Sequence, residues 1–287
     1  MIYVGTCGFS YRDWIGAFYP PKTKSAEMLP FYARSFRAVE IDSSYYGVPH
    51  PRTVASMAAR TPPEFRFSFK IPQTVTHPPD ASLRVHPDAG ALLESVEPMV
   101  SAGKLACVLA QFPNSFKPEE EREEYVRRVV EAFEGVPVVV EFRNRLWQRP
   151  ETIELLRALG AGYCNVDMPP IDRLLAPSSD ASGPVGYVRF HGRNSKMWWR
   201  GSSVTRYDYL YAPEELVPWT DRIAEIEAQT RDTYAFFNNH ANGHAARNAE
   251  MIVSMLDERY GELSAQVVAH AAGDAPKQAT LPGMPDA

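Results

Sequence analysis

Eight short runs of β-branched and aromatic residues, most of them followed by helix-like sequence, constrain what this chain can become. They are Ile2 to Thr6, Arg37 to Asp42, Phe65 to Ile71, Leu105 to Gln111, Val136 to Arg143, Gly162 to Asp167, Val185 to His191 and Asp232 to Asn239. Runs of this length bounded by Pro, Gly, Asn or Asp read as strands. Between them, apolar residues recur at helical spacing: Tyr125, Val129 and Phe133; Leu216, Trp219, Ile223 and Ile226; Ala249, Val253 and Leu256. The sixth connection, Met168 to Pro184, is rich in Pro, Ser and Gly and is expected to carry at most a short helix. Strand–helix alternation implies a parallel sheet, and eight such units in roughly 250 residues favour a single (β/α)8 TIM barrel over an open sheet. The barrel domain is placed at residues 1–265. Residues 266–287 lack periodicity and are expected to form a disordered, mobile tail that folding can do without.

The 287 residues are 45% hydrophobic, enough for one large core. No apolar run reaches the roughly 18 residues that cross a bilayer, and no signal peptide opens the chain, so no membrane partner is expected. Cys7, Cys107 and Cys164 form no C-x-x-C pair, which argues against a disulfide framework or zinc knuckle and for a cytoplasmic location. A net charge of −5 supplies no global field for nucleic acid.

Side chains alternate faces along a strand, so parity assigns the inward set. With Val39 and Ile41 packed outward, Glu40 and Asp42 turn in. With Phe67 and Phe69 outward, Arg66, Ser68 and Lys70 turn in. The same reasoning places Glu141, Arg143, Arg189 and His191 inside, gives Asn165 and Asp167 one parity, and puts Asn238 at the end of the eighth strand. Most lie at the carboxyl ends of strands, where barrel enzymes keep their active sites. Unpaired charge is costly to bury, so these groups must either pair or reach solvent at the mouth. Pairing would join Glu40 to Arg66 or Lys70, and Glu141 to Arg143 or Arg189.

The chain carries Gly5-Thr6-Cys7-Gly8-Phe9-Ser10-Tyr11, Val39-Glu40-Ile41-Asp42-Ser43-Ser44-Tyr45-Tyr46, Phe69-Lys70 with Thr76-His77, and Leu109-Ala110-Gln111-Phe112-Pro113. It also carries Glu141-Phe142-Arg143 with Trp147, Arg189-Phe190-His191-Gly192-Arg193 and Phe237-Asn238-Asn239-His240. In these stretches it resembles the YecE-like family, the domain of unknown function numbered 72. The resemblance spans residues 1 to about 257; it implies the barrel fold and supplies no activity, substrate or cofactor.

Several chemistries suit the inward set. Barrels often hold phosphate at the loops after strands seven and eight, and here those loops carry Arg193 and Asn239 close to Arg189. Glu40, Lys70, Glu141 and His191 are the candidate catalytic groups, with acid–base work as their expected role. Arg143, Arg189, Arg193, Gln111, Asn165, Asn238 and Asn239 are the candidate substrate-binding residues. Glu141 is expected in a solvated mouth among other carboxylates, where Glu141→Gln would leave stability unchanged or raised. A metal held by Glu40, Glu141, Asp167 and His191 is disfavoured by the cations around them, and His240 with His244 lacks a supporting H-E-x-x-H. Cys7 is a candidate nucleophile without an assignable base. The expected function is therefore an enzyme acting on a small phosphorylated or carboxylated metabolite, with reaction class, cofactor and oligomeric state unassigned. The alternative is a nucleic-acid-binding or nucleic-acid-processing barrel. It rests on Arg193, Lys196, Arg200 and Arg206 interleaved with Trp198, Trp199, Tyr207, Tyr209 and Tyr211. The tail run Gln278-Ala279-Thr280-Leu281 faintly resembles sliding-clamp-binding peptides.

Overall fold

A computed structural model describes residues 1–78 and 84–260. Eight strands close in chain order into one parallel barrel: β1 (Ile2–Cys7), β2 (Ala38–Ile41), β3 (Arg66–Lys70), β4 (Leu105–Gln111), β5 (Val138–Glu141), β6 (Gly162–Asp167), β7 (Val185–Phe190) and β8 (Asp232–Phe237). Pairing of β1 with both β2 and β8 completes the ring. The helices are α1 (Ser25–Ser35), α2 (Pro51–Ala59), α3 (Gln73–Thr76), α4 (Asp88–Ser101), α5 (Glu120–Glu131), α6 (Pro150–Ala158), α7 (Ser203–Arg206), α8 (Pro213–Glu227) and α9 (His244–Tyr260). The proposed tail lies outside the described residues, as does its clamp-like run. Among the described residues no helix is long and apolar enough to cross a membrane.

Every expected strand forms; the expected ends overrun by one or two residues at β2, β3, β5, β7 and β8, match at β4 and β6, and fall one residue short at β1. The outward residues do what parity requires of them: Val39, Phe67, Phe69, Val138, Val140, Phe142, Val188 and Phe190 are all buried in the apolar layer. That layer is strongly aromatic at β5 and β7, where Phe142 stacks on Trp147 at 4.1 Å and Phe190 on Phe237 at 4.3 Å.

The β6–β7 connection contains no helix at all. Its backbone is held by side chains instead, chiefly Asn165, whose Nδ2 donates to the Asp180 carbonyl and whose Oδ1 accepts from Ser178 Oγ and the Asp180 amide. The amide that parity assigned to substrate is thus occupied in anchoring a loop. Gly8 (φ 84°) and Gly192 (φ 79°) turn the chain over the mouth directly after β1 and β7. A Cβ at Gly192 would fall 2.7 Å from Cβ of Tyr209, so this turn also sets how closely the segment crossing the mouth can approach.

The segments that follow β1 and β8 meet at the same rim. Trp14 Nε1 donates to the His240 carbonyl (2.6 Å), and the Asn242 amide donates to Asp13 Oδ2 (2.8 Å). Asn165→Ala should cost about 1–3 kcal/mol by orphaning the groups it binds. Hydrogen exchange should accelerate in residues 168–184 ahead of the barrel strands; uniform loss of protection would show that Asn165 supports the strands and not the loop.

Candidate functional site

Inside the barrel, Arg189 from β7 is fully buried between two equally buried carboxylates. Its Nη2 donates to Glu40 Oε1 on β2 and its Nη1 to Glu141 Oε2 on β5, both at 2.6 Å. Glu40 accepts a further bond from the Tyr187 hydroxyl at 2.8 Å, and that hydroxyl lies 2.8 Å from Ser68 Oγ. Glu141 also pairs with Arg143 and lies 3.1 Å from His191 Nε2. The pairing of Glu40 with Arg66 or Lys70 is therefore replaced by Arg189. Arg66 instead donates to the Pro63 and Phe65 carbonyls at the opposite end of β3.

Burial works against ionising Glu141, yet Arg143, Arg189 and His191 outweigh it and hold the carboxyl well below its ordinary range. Burial and the neighbouring Arg143 push His191 down to about 3, so the ring is neutral near pH 7. An ionised Glu141 can only accept, so Nε2 carries the ring proton. Nδ1 is then the acceptor for Asn238 Nδ2, 3.0 Å away. Glu141 is thus a paired, dry carboxylate, which overturns the expectation of a solvated acid relieved by its removal.

Above this layer opens a cavity of about 780 Å³ at the carboxyl ends of the strands. Lys70, Gln111, Arg143 and Asn238 line it, together with Asp42. Glu40, Glu141, Arg189 and His191 have no exposed surface and form the layer beneath. Lys70 Nζ lies 3.1 Å from Asp42 Oδ1 and 4.1 Å from the centre of the Tyr45 ring. Burial disfavours an ionised Asp42, but Lys70 and Arg189 prevail and lower its pKa. The linked set of Glu40, Asp42 and Glu141 with Lys70, Arg143 and Arg189 is three carboxylates against three cations, a balanced charge.

The anion position expected between Arg189 and Arg193 is filled by protein. Arg193 forms a two-pronged pair with Asp167 (2.9 and 2.7 Å) and reaches Glu215 at 3.1 Å. Asp167 additionally accepts from the Tyr211 hydroxyl and Trp219 Nε1, leaving it unsuited to a metal. Asn239 donates to Tyr209 and Asn248 and stays away from the cavity. Cys7 is buried with its thiol pushed well up by burial and Glu40, the opposite of a nucleophile's environment. Among the described residues no group of three or more His, Cys, Asp or Glu is arranged to hold a metal.

Several residues that line the cavity stand in the family-like stretches but are assigned no place in the substrate site from the sequence. Tyr45 and Tyr46 follow β2, His77 follows α3, and His240 stacks on Tyr11 at 4.8 Å. Their signal was position, since each stands in a loop at the barrel's carboxyl face. The residue 193–211 segment contributes Trp198, Trp199, Arg206 and Tyr207, while Tyr211 and the buried Trp198 pack inward.

The family model described as "Protein of unknown function DUF72" matches residues 3–273. UPF0759 protein YunF of Bacillus subtilis is 32% identical, covering 92% of this chain and 98% of its own. UPF0759 protein YecE of Escherichia coli K12 is 31% identical over 121 residues, 42% of this chain and 40% of its own. A crystal structure of a DUF72 family protein (TM1631) from Thermotoga maritima superposes with a TM-score of 0.81 at 37% identity, covering 90% of this chain and 99% of that one.

Two expectations follow from the buried layer. Glu141→Gln should lose about 3–5 kcal/mol of unfolding free energy by stranding Arg143 and weakening the hold on Arg189; an unchanged melting temperature would contradict the pairing. The pH dependence has a defined sign, because His191 and Glu141 both have folded pKa values below their unfolded ones. The unfolded chain therefore binds the proton first, and stability is fully present only above the unfolded values. It should fall by about 1.4 kcal/mol per pH unit as pH drops below about 6.5 from His191, more steeply once Glu141 joins near 4.5. His191→Gln should flatten the upper part of the curve; a wild type equally stable at pH 7 and pH 5 would refute this assignment.

Proposed function

The chain belongs to the DUF72 family, and on that premise we propose that its mouth cavity binds a small phosphorylated or carboxylated metabolite and acts on it by acid–base chemistry. One observation carries the reading. Among the described residues, the fixed charges lining the cavity are Lys70, Arg143 and Arg206 against one carboxylate, Asp42; with Glu141 beneath Arg143 counted as well, one positive charge remains in a protein whose net charge is −5. His77 adds no charge near neutral pH, because burial and Lys70 push it down to about 4, and burial also lowers His240. A local excess of cations walled by apolar rings favours an anion more strongly than the same charges would in open water.

The proton-handling groups in this reading are those that reach the cavity. Asp42 supplies an ionised acceptor and Lys70, 3.1 Å away, a donor. Glu40, Glu141 and His191 act from beneath as positioning residues: they fix Arg189 and aim Arg143 upward. Arg143 shares its Nε side with Glu141, and among the described residues its Nη1 meets only the Met168 sulfur at 3.8 Å, which leaves its outer edge for a ligand.

A thermal-shift screen of phosphorylated and carboxylated metabolites at low salt should find a saturable ligand. Stabilisation should reach about 2.7 kcal/mol at a hundred times the dissociation constant. Arg143→Gln should abolish the response while Glu141 keeps its bonds to Arg189 and His191. Failure of every small anion, with steeply salt-dependent binding of single-stranded oligonucleotides through Trp199 and Arg206, would replace this reading with the nucleic-acid one.

A further inference from the structure

We infer that the anion is a polyhydroxylated one, a carbohydrate carrying a carboxylate or phosphate, and this rests on the anion-binding reading above. The inference starts from what a bare anion would leave unused. Gln111 lines the cavity at the end of β4 with only 8% of its surface exposed, and its side-chain amide bonds to no other described residue. Asn238 gives its Nδ2 to His191, which leaves its Oδ1 without a partner among the described residues. Neither group is sealed from the cavity, so each presents a hydrogen-bonding edge that a ligand displacing water can take up. Asp42 sharpens the requirement. Its carboxylate would repel a simple anion, so a ligand seated beside it must also offer hydrogen-bond donors. Hydroxyl groups both donate and accept, and so satisfy Asp42, Gln111 and Asn238 together while the acidic group meets Arg143 and Lys70.

The rim carries a second, independent observation. Among the described aromatic residues only Tyr46 and Trp199 are largely exposed, at 70% and 54%. Both line this cavity, one from the segment after β2 and the other from the segment after β7. Large apolar surface left in water at one place marks a contact face. Flat rings over a polar floor match a sugar, whose ring has an apolar C–H face and a hydroxylated edge. The volume of about 780 Å³ is far more than phosphate needs and falls in the range of sites for small organic ligands.

Isothermal titration of the full chain would use hexuronates and hexose phosphates as the two sources of such an anion. Neutral hexoses, inorganic phosphate, dicarboxylates, amino acids and nucleoside monophosphates complete the panel. One of the sugar anions should bind at least about tenfold more tightly than its neutral parent and than inorganic phosphate, a factor of about 1.4 kcal/mol. Trp199→Ala and Tyr46→Ala, both at exposed rings, should weaken it about three- to tenfold with unchanged melting temperature, and Gln111→Leu should weaken it further. Dicarboxylates or amino acids binding as tightly as any sugar anion would overturn the carbohydrate inference while leaving the anion reading intact. Preference for nucleoside monophosphates would overturn it too, recasting the rings as a base platform. Silence across every anion would remove the underlying reading itself.

Discussion

Arg189 is the group on which the interior depends. A guanidinium on β7 with no exposed surface is tolerable only because Glu40 on β2 and Glu141 on β5 each hold one of its ends at 2.6 Å. Those three strands are not neighbours in the ring, so the bridge spans the barrel's cross-section where branched apolar side chains would ordinarily fill it. Such a bridge is weak evidence for stability, since a well-packed apolar set can do as well. Its effect is on geometry: two carboxylates are fixed in place, and one of them, Glu141, has a remaining edge with which to orient Arg143.

The balance of three acids and three cations explains why the layer can be dry. His191 fits because it stays neutral, donating to Glu141 and accepting from Asn238 without adding charge. The cavity above shares Lys70, Arg143 and Asp42 with that balanced set and, among the described residues, exceeds it by one positive charge. It inherits the outward edge of Arg143 and the Lys70–Asp42 pair, and Arg206 is added from the segment crossing the mouth. Neutral interior and cationic surface are thus two levels of one network, divided by what each side chain has left after its internal bonds are made.

Period-two alternation made the strands and the inward set legible. It placed Glu40, Glu141, Arg189 and His191 correctly, because parity is a local property of a strand. It could not reveal partners, because Glu40 meets Arg189 across 149 positions and only closure of the ring decides which strands face one another. Arg193 and Asn165 show the same limit in loops. Their residue types suit ligand binding, yet Asp167, the Ser178 hydroxyl and the Asp180 backbone reach them first. The aromatic wall was half legible: the rings of residues 198–211 stood out as a cluster, whereas Tyr46, His77 and His240 are scattered singly and only the fold gathers them.

The latch between Trp14 and His240 has a temporal consequence. One wall of the cavity is the stacked pair Tyr11 and His240, drawn from the first and last loops of the barrel. A chain being synthesised from its amino end has Tyr11 almost at once but cannot complete that wall until β8 and the residues after it have emerged and docked. Lys70 and Arg143 exist long before that, with nothing to enclose what they attract. Enclosure of the cavity therefore has to wait for synthesis to pass His240, and a chain ending before that residue would carry Lys70 and Arg143 without this wall.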